Sequence, residues 1–526
     1  MAQNSTAQSL RSAVKSWRLG AVTLLSLSSG MPLGLVIICV PAWMAMIQVD
    51  IKTIGVLTLA QVPYAFKFLW SPLIDRFRPP WLGRKRGWIL IGQLALAALT
   101  FGLASQATDP TVGAVAALTV LIAFASATQD IAIDAYTVDV LDREEQGLAV
   151  GARTAMYRIG MWLAGAIAIS LGPQLGWEVT LGAQAVVYLL LLPVTVFAPE
   201  PRAQPLPPQS LREAIWDPFV GFLQKNRSLE IVAFLLLYKL ADNLAVALVR
   251  PFLVEMGYSE WDVGIVSGTV GVLFTLLGTF LGSFLTNYLG VGRALWYFGV
   301  LQAAANIGYA LVAQVGLNRP LMYAAMALDT GASGMGTGAF MVLLLRLTQK
   351  RFSATQYALF SSIFALGRTV AGPIAGSLVD AIGWRDFFLL TIAFSAPGLA
   401  MLQRFVPWGA REIPAEIEAD GAPGERSGAP VGRLGLLARG LGGFVGGSLA
   451  GLLASAALAG LKGARDGGVF DLAAPLARLL RPGAVSDYID AIGALAFGLV
   501  LGFGWAAHAA ARRGVKAAPA SGLEQG

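Results

Sequence analysis

Long apolar segments recur along the whole chain, and they constrain its fold more than any other feature. Of the 526 residues, 56% are hydrophobic and 13% are charged. A globular protein in water carries about 25% charged residues, whereas a helix that crosses a bilayer needs roughly 20 consecutive, mainly apolar residues. We therefore predict an all-α polytopic membrane protein.

Fourteen segments are long and apolar enough to be predicted as membrane spans. Repeated six-helix bundles are typical of transporters that rock around a site between their halves. The predicted order is an N-terminal six-helix bundle, a cytoplasmic linker, a C-terminal six-helix bundle, a polar linker, and two additional helices with a tail, at 1–198, 199–228, 229–407, 408–432 and 433–526. The predicted spans lie near 19–46, 51–74, 88–106, 111–138, 148–171, 177–197, 229–253, 260–286, 293–314, 319–347, 355–382, 385–407, 433–461 and 489–511, with a short interfacial helix at 471–483.

Lys and Arg are concentrated in alternate loops, as the positive-inside rule requires. They occur in the N-terminal tail, in the loop after span two, in the central linker and in the loop after span ten, whereas the loops after spans three and five have none. This pattern predicts a cytoplasmic N-terminus. Basic residues between spans 13 and 14 break the alternation. We interpret the net charge of +7 as membrane orientation and not as nucleic-acid binding.

Cysteine and histidine are almost missing from the composition. The chain has one cysteine, Cys39, and one histidine, His508. A single cysteine excludes disulfides within the chain and thiolate metal clusters. Proton chemistry within the membrane must then use carboxylates. We predict no metal, no cofactor and no enzymatic activity, and the polar N-terminus indicates no cleaved signal peptide.

Span four ends in the acidic stretch SATQDIAIDAYTVDVL at 126–141. Asp130 and Asp134 are four residues apart and share a helix face, and two such carboxylates repel unless a cation or a proton joins them. Counting about 1.5 Å of rise per residue along each span places Lys67 of span two and Arg158 of span five at a similar depth in the membrane as these two acids. Since intramembrane charge is a functional hypothesis by default, we predict proton coupling by these four residues. A purely structural ion pair remains the alternative.

The second bundle contains its own charged set near the membrane midplane, where transporter sites tend to lie. Lys239 and Asp242 are three residues apart with Asn243 adjacent, while Asp329 and Arg368 lie on spans ten and eleven. We predict that these residues bind substrate, with a helix-stabilising pair as the alternative for the first two. The Gly-rich runs at 331–340 and 440–451 are typical of close helix packing, because they lack the Lys-Ser/Thr of a phosphate loop.

The segment WSPLIDRFRPPWLGRKRGW at 70–88 resembles the signature loop of the major facilitator superfamily. In that family the loop latches the cytoplasmic gate. The resemblance implies the superfamily fold and a gate role for Asp75, Arg76, Gly83, Arg84 and Arg86. Asp139 is expected at the membrane surface, since charges near helix ends reach toward water, where it would pair with the basic loop.

Five further stretches resemble the AmpG-like permeases, a branch of the same superfamily. They are YAFKFLWSPLIDR, SATQDIAIDAYTVDVL, LLYKLADNLAV, GMGTGAF and FSATQYALFSSIFALGRTVAGPIAG. The resemblance implies two helices beyond twelve and a location in the bacterial inner membrane. It also implies proton-driven import of GlcNAc–anhydroMurNAc and its peptides, in peptidoglycan recycling and β-lactamase induction. By resemblance Gln129 joins Asp130 and Asp134 in the acidic role of span four, and we also predict that it contacts substrate. Thr137 and Asp329 depart from the family pattern, which has Lys and Glu there.

An anionic glycopeptide needs cations for its carboxylates and aromatic or hydroxyl partners for its sugars. Tyr136 and Tyr157 are candidates for the sugar contacts. Within the same fold, acetyl-coenzyme A, a siderophore or a drug are alternative substrates. A membrane prenyltransferase with an aspartate-rich Mg²⁺ motif, and a receptor, are more distant alternatives. We expect the protein to be a monomer.

Overall fold

The computed structural model describes residues 16–49, 58–201, 206–210, 213, 214, 218, 222, 228–414, 431–465, 469–481, 483 and 485–513. These residues are predominantly α-helical, as the apolar periodicity predicts. We number the helices α1 to α15 and treat the broken segment 58–76 as α2. Their bounds are α1 Trp17–Met46, α2 58–76, α3 Arg84–Ser105, α4 Val112–Val140, α5 Arg143–Leu175, α6 Trp177–Phe197, α7 Glu230–Glu255, α8 Trp261–Leu289, α9 Val291–Val315, α10 Arg319–Leu347, α11 Ser353–Ile382, α12 Trp384–Phe405, α13 Arg433–Arg465, α14 Ala473–Leu480 and α15 Val485–Arg513.

Eleven helices of the described chain are long and apolar enough to cross a membrane. They are α1, α3 to α10, α12 and α13. The remaining predicted spans correspond to the broken segment α2 and to the helices α11 and α15, so the count of fourteen stays a prediction. The short helix predicted at 471–483 is confirmed as α14.

Two membrane helices are interrupted next to a buried lysine. In α2, Pro63 and Pro72 begin short helical pieces, and a 3₁₀ turn at Lys67–Leu69 separates those pieces. Proline lacks the N–H that continues a helix, which explains the break. In α7 the regular helix stops after Leu237 and resumes at Leu240, with Lys239 between them.

The packing follows the order of the chain. Helices up to residue 198 enclose two apolar clusters, one around Trp43 and one around Tyr136. The helices of the second half enclose two others, built mainly around Phe340 and Phe388. The halves meet where α4 contacts α11 and where α5 contacts α8, and α13 packs on α15 and on α11. The exact domain boundaries remain a prediction.

Glycines allow several helix pairs to approach closely. A Cβ at Gly278 of α8 would lie 2.2 Å from the carbonyl oxygen of Gly331 in α10. At Gly443 of α13, a Cβ would lie 2.8 Å from the Cα of Gly502 in α15. Small residues bring helix backbones together in membranes. The packing interpretation of both Gly-rich runs is therefore confirmed.

Candidate functional site

Lys67 lies between the two acids of α4. Its Nζ is 3.6 Å from Asp130 Oδ2 and 3.4 Å from Asp134 Oδ2. The Ser29 hydroxyl of α1 donates a hydrogen bond to Asp130. One cation thus serves two carboxylates on one helix face, as the four-residue spacing predicted. A proton that enters this site belongs to the pair of acids and not to either one alone.

A second cation at this site was missed in the sequence. Arg153 Nη2 of α5 donates to Asp134 Oδ1 at 2.6 Å, and its Nε donates to Ser26 Oγ at 3.2 Å. The hydroxyl of Tyr357, on α11 of the other half, also lies beside this guanidinium. The predicted arginine, Arg158, is five residues further along α5 and lines a cavity instead. Five residues advance an α-helix by about 7.5 Å and turn it by about 140° beyond a full turn, so Arg158 differs from Arg153 both in depth and in the face it occupies.

Lys239 and Asp242 form a closed network in the second half. Lys239 Nζ is 2.8 Å from Asp242 Oδ2 and donates to Gln302 Oε1 and the Ser333 carbonyl oxygen, each at 3.0 Å. The Ser333 hydroxyl donates to Asp242 at 2.8 Å. Lys239 is only 2% exposed. Its hydrogen bonds join α7, α9 and α10, so the geometry favours the helix-stabilising alternative over direct substrate binding.

Asp329 belongs to a cavity between the halves. Tyr309 of α9 donates to its Oδ2 at 3.1 Å, while Oδ1 has no hydrogen-bond partner within the described residues. The cavity has a volume of about 170 Å³, and Asp329, Arg158 and Arg250 are among its lining residues. Arg250 of α7 was not singled out in the sequence because it lies close to the end of its helix.

The other predicted substrate contacts lie away from this cavity. Gln129 is fully buried and donates to Ser28 Oγ at 2.7 Å, between α4 and α1. Tyr136 donates to the Pro199 carbonyl oxygen at 2.8 Å, near the end of α6. These contacts hold helices together, so the placement of Gln129 and Tyr136 does not support substrate binding. Tyr157 is half-buried on α5, close to Asp130.

Two further predicted residues belong to α7 and α11. Asn243 is 8% exposed on α7 and packs near Gly367 of α11. Arg368 follows Gly367 in α11, but its side chain lies outside the described part of the structure. The predicted substrate role of Arg368 therefore stays a prediction.

The signature loop joins the two halves through Asp75. This carboxylate is fully buried and accepts the backbone N–H groups of Ala354 and Thr355 at 3.1 and 2.8 Å, and the Thr355 hydroxyl at 2.8 Å. Both N–H groups belong to the first turn of α11, where helical N–H groups lack a partner within their own helix. The partial positive charge of a helix N-terminus also favours an anion. We call the end of the molecule that contains this contact the gate face.

The basic residues of the signature loop make the other contacts at the gate face. Lys85, which the predicted gate set omitted, donates to Asp75 Oδ1 at 2.5 Å, and Arg84 donates to the Asp75 carbonyl oxygen at 3.3 Å. Arg86 donates to the Ala198 carbonyl oxygen at 2.6 Å and pairs with Glu200 after α6. Arg76 stacks 5.5 Å over the ring of its neighbour Phe77. Gly83 has a φ of +77° and precedes α3, a conformation that favours glycine.

Asp139 was expected at the membrane surface beside the basic loop; Lys85 and Arg84 of that loop do lie near it, but its side chain is not exposed. It is 5% exposed, and its Oδ1 has no hydrogen-bond partner among the residues described. Helix α11 packs across α4 and covers this end of it. The sequence shows how far Asp139 lies along its helix, but it does not show that another helix covers it.

The arrangement combines the Asp75 contact between the two halves, a partnered acid pair and a cavity between the halves. Within the described part of the chain, no group of three or more His, Cys, Asp or Glu residues could hold a metal ion. Residues 22–368 match the sequence profile of the Major Facilitator Superfamily. The anhydromuropeptide permease of Escherichia coli K12 is 39% identical over 387 residues, which cover 73% of this chain and 79% of that protein. The chain belongs to the AmpG-like permeases of the major facilitator superfamily.

A further AmpG-like relative agrees with this assignment, and two solved transporters share the fold. A putative AmpG 4 transporter of Rickettsia conorii is 29% identical, with 74% of this chain and 96% of that protein covered. The proton:xylose symporter XylE superposes with a TM-score of 0.58 at 13% identity, covering 76% of this chain and 98% of that chain. The Escherichia coli fucose:proton symporter FucP gives a TM-score of 0.56 at 14% identity, covering 73% and 98%. At such identities the two structures show the fold alone. The chain is a multi-pass membrane transporter and not an enzyme.

Proposed function

We propose that this transporter imports anhydromuropeptides into the cytoplasm by proton symport, for peptidoglycan recycling. The assignment of the substrate rests on the 39% identity to a protein named anhydromuropeptide permease, over most of both chains. The proposal places the protein in the bacterial inner membrane with a cytoplasmic N-terminus. The gate face is then cytoplasmic, and its closure by Asp75 corresponds to the outward-facing state.

The proton site in this proposal is the Asp130–Asp134 pair. Both acids share Lys67, and Asp134 also binds Arg153, so two cations face two anions. Protonation of the pair removes negative charge and weakens the hold on both cations. A carboxylate without charge loses the stronger, charge-assisted part of its hydrogen bonds.

Arg153 offers a route from this site to the second half. The hydroxyl of Tyr357 lies beside its guanidinium, and Tyr357 is in the first two turns of α11, whose N-terminus binds Asp75. A change in the position of Arg153 would therefore alter a contact between the two halves close to the gate. A proton shifts a two-state transporter only through such a difference in contacts between its states.

The test is Asp130→Asn in membrane vesicles with an imposed proton gradient and radiolabelled GlcNAc–anhydroMurNAc. Gradient-driven accumulation should disappear, while exchange of labelled for unlabelled sugar across the membrane persists. Asp380→Asn is the matched control, because Asp380 lies at the far end of α11 and pairs with the exposed Lys462 of α13. Undiminished gradient-driven accumulation in Asp130→Asn would refute the proton role. Absence of any uptake by the unaltered protein would refute the substrate.

A further inference from the structure

The cavity between the halves has a distinctive distribution of charge. Arg158 belongs to α5 of the first half, whereas Arg250 and Asp329 belong to α7 and α10 of the second. Val249 and Met326 are among the apolar residues of the same wall. Among the lining residues that the structure describes, two cations and one anion leave one net positive charge. An apolar wall reduces screening and strengthens the attraction between these groups and a charged ligand.

The anion in the lining is already oriented. The Tyr309 hydroxyl donates a hydrogen bond to Asp329 Oδ2 at 3.1 Å, which fixes the orientation of the carboxylate. Its other oxygen, Oδ1, is buried and makes no hydrogen bond to the described residues. A buried acceptor left without a donor costs about 1–3 kcal/mol, so a ligand with an O–H or N–H at this point would be favoured.

We propose that this cavity binds the carboxylate end of the substrate, with Arg158 and Arg250 holding the carboxylate from the two halves. Asp329 accepts a hydrogen bond from a neighbouring hydroxyl or amide N–H of the same ligand. The inference rests on the proposed function, because it assigns the recognition of one chemical group of that substrate. The peptide-free disaccharide GlcNAc–anhydroMurNAc has this combination, since its lactyl carboxylate lies beside the acetamido N–H of the same sugar and the hydroxyls of the GlcNAc unit.

The chemistry favours a carboxylate over a phosphate dianion. A guanidinium presents paired N–H donors that match the two oxygens of a carboxylate. The single net positive charge of the lining balances one negative charge, and Asp329 would repel a second one. The volume of about 170 Å³ is below the range of roughly 300–1,000 Å³ of pockets for whole drug-sized ligands. The cavity therefore accommodates one end of a glycopeptide.

The location also fits a role in transport. Asp329 lies ten residues after Arg319, or about 15 Å along α10 from the face opposite the gate. Arg250 lies five residues before Glu255, still closer to that face. A carboxylate held by one arginine from each half attracts the halves toward each other on this side. Binding would thus favour closure opposite the gate, as alternating access requires.

The experiment compares two probes on purified protein in nanodiscs by isothermal titration calorimetry. One probe is GlcNAc–anhydroMurNAc with its free lactyl carboxylate, and the other is the neutral lactyl carboxamide of the same disaccharide. The unaltered protein should bind the acid at least about tenfold more tightly, which corresponds to about 1.4 kcal/mol. Arg250→Gln and Arg158→Gln should reduce the affinity for the acid to that for the amide, without changing the affinity for the amide.

Arg319→Gln is the control variant. Arg319 begins α10, is exposed, and pairs with Asp262 of α8. The variant should leave the affinities for both probes unchanged. Equal affinity of the unaltered protein for acid and amide would overturn the carboxylate site and leave the proposed function intact. Binding of neither probe would overturn the proposed function and this inference together. The comparison on the unaltered protein decides the point even where a variant fails to fold.

Discussion

The Asp75 carboxylate of the first half accepts the backbone N–H of Thr355 in the second half, with 2.8 Å between the two atoms. The two residues are 280 positions apart in the chain. The link joins a side chain to the backbone of a helix N-terminus, so it depends on the charge of Asp75 and on the position of α11. We therefore expect it to exist only while the gate face is closed.

Removal of the Asp75 charge should open the gate face. In Asp75→Asn, charge-assisted hydrogen bonds become neutral ones, and the closed state loses about 1–3 kcal/mol. The reporter is a cysteine at Ala358, which is 2% exposed on α11, in a Cys39→Ala background. Its rate of maleimide modification in purified protein should rise at least severalfold.

Asp142→Asn is the matched control for the gate variant. Asp142 also lies at the gate face, but its ion pair with Arg18, at 2.6 Å, stays within the first half. Its loss should leave the reporter rate near that of the parent protein. A reporter rate in Asp75→Asn no higher than in Asp142→Asn would show that the Asp75 link does not hold the gate.

Lys67 should be coupled energetically to Asp130. Lys67→Met leaves two partly buried carboxylates, 17% and 14% exposed, without their shared cation, and breaking a fully buried ion pair in this way costs about 3–5 kcal/mol, which is an upper value here. The midpoint temperature of thermal unfolding in detergent should therefore fall by several degrees. The double variant Lys67→Met/Asp130→Asn should recover a large part of that loss, because the second change removes the uncompensated charge.

Lys462→Met provides the comparison for this cycle. Its partner Asp380 lies 2.6 Å away, but both side chains are about half exposed, so the loss is at most about 1 kcal/mol. If the double variant at Lys67 and Asp130 is as unstable as the sum of the two single variants, the side chains do not act as a pair.

The Lys239 network should determine stability and not substrate affinity. Asp242→Asn weakens the hold on Lys239, which is 2% exposed and bonded to α9 and α10. The unfolding midpoint should fall. The affinity for GlcNAc–anhydroMurNAc, measured by calorimetry on the folded fraction, should remain that of the unaltered protein. A selective loss of affinity with an unchanged midpoint would instead identify Asp242 as a substrate ligand.

Gly278 should tolerate no side chain. A Cβ there would meet the carbonyl oxygen of Gly331 at 2.2 Å, so Gly278→Ala must push α8 away from α10 and lower the unfolding midpoint. Gly268 of the same helix has open space at this position. Since alanine is favoured over glycine in a helix by about 1 kcal/mol, Gly268→Ala should match or exceed the unaltered midpoint. Equal midpoints for the two variants would contradict the close packing of α8 and α10.

Much of the architecture could be predicted from the sequence because it depends on local pattern. Apolar length predicts membrane helices, and the polar linker at 199–228 marks where the first set of helices ends. The Lys67 site was also predictable, because a four-residue spacing puts Asp130 and Asp134 on one face of a helix. Depth counting then placed Lys67 at their level, which the ion pairs confirm.

The tertiary structure decides which neighbours a side chain contacts. Depth along a helix is a matter of counting, but the direction around it depends on which helices pack against it. The sequence therefore suggested Arg158 for the acid pair, whereas packing brings Arg153 there and turns Arg158 toward Arg250 and Asp329. The contact of Asp75 with Thr355 has the same origin, because no local pattern connects residues 280 positions apart.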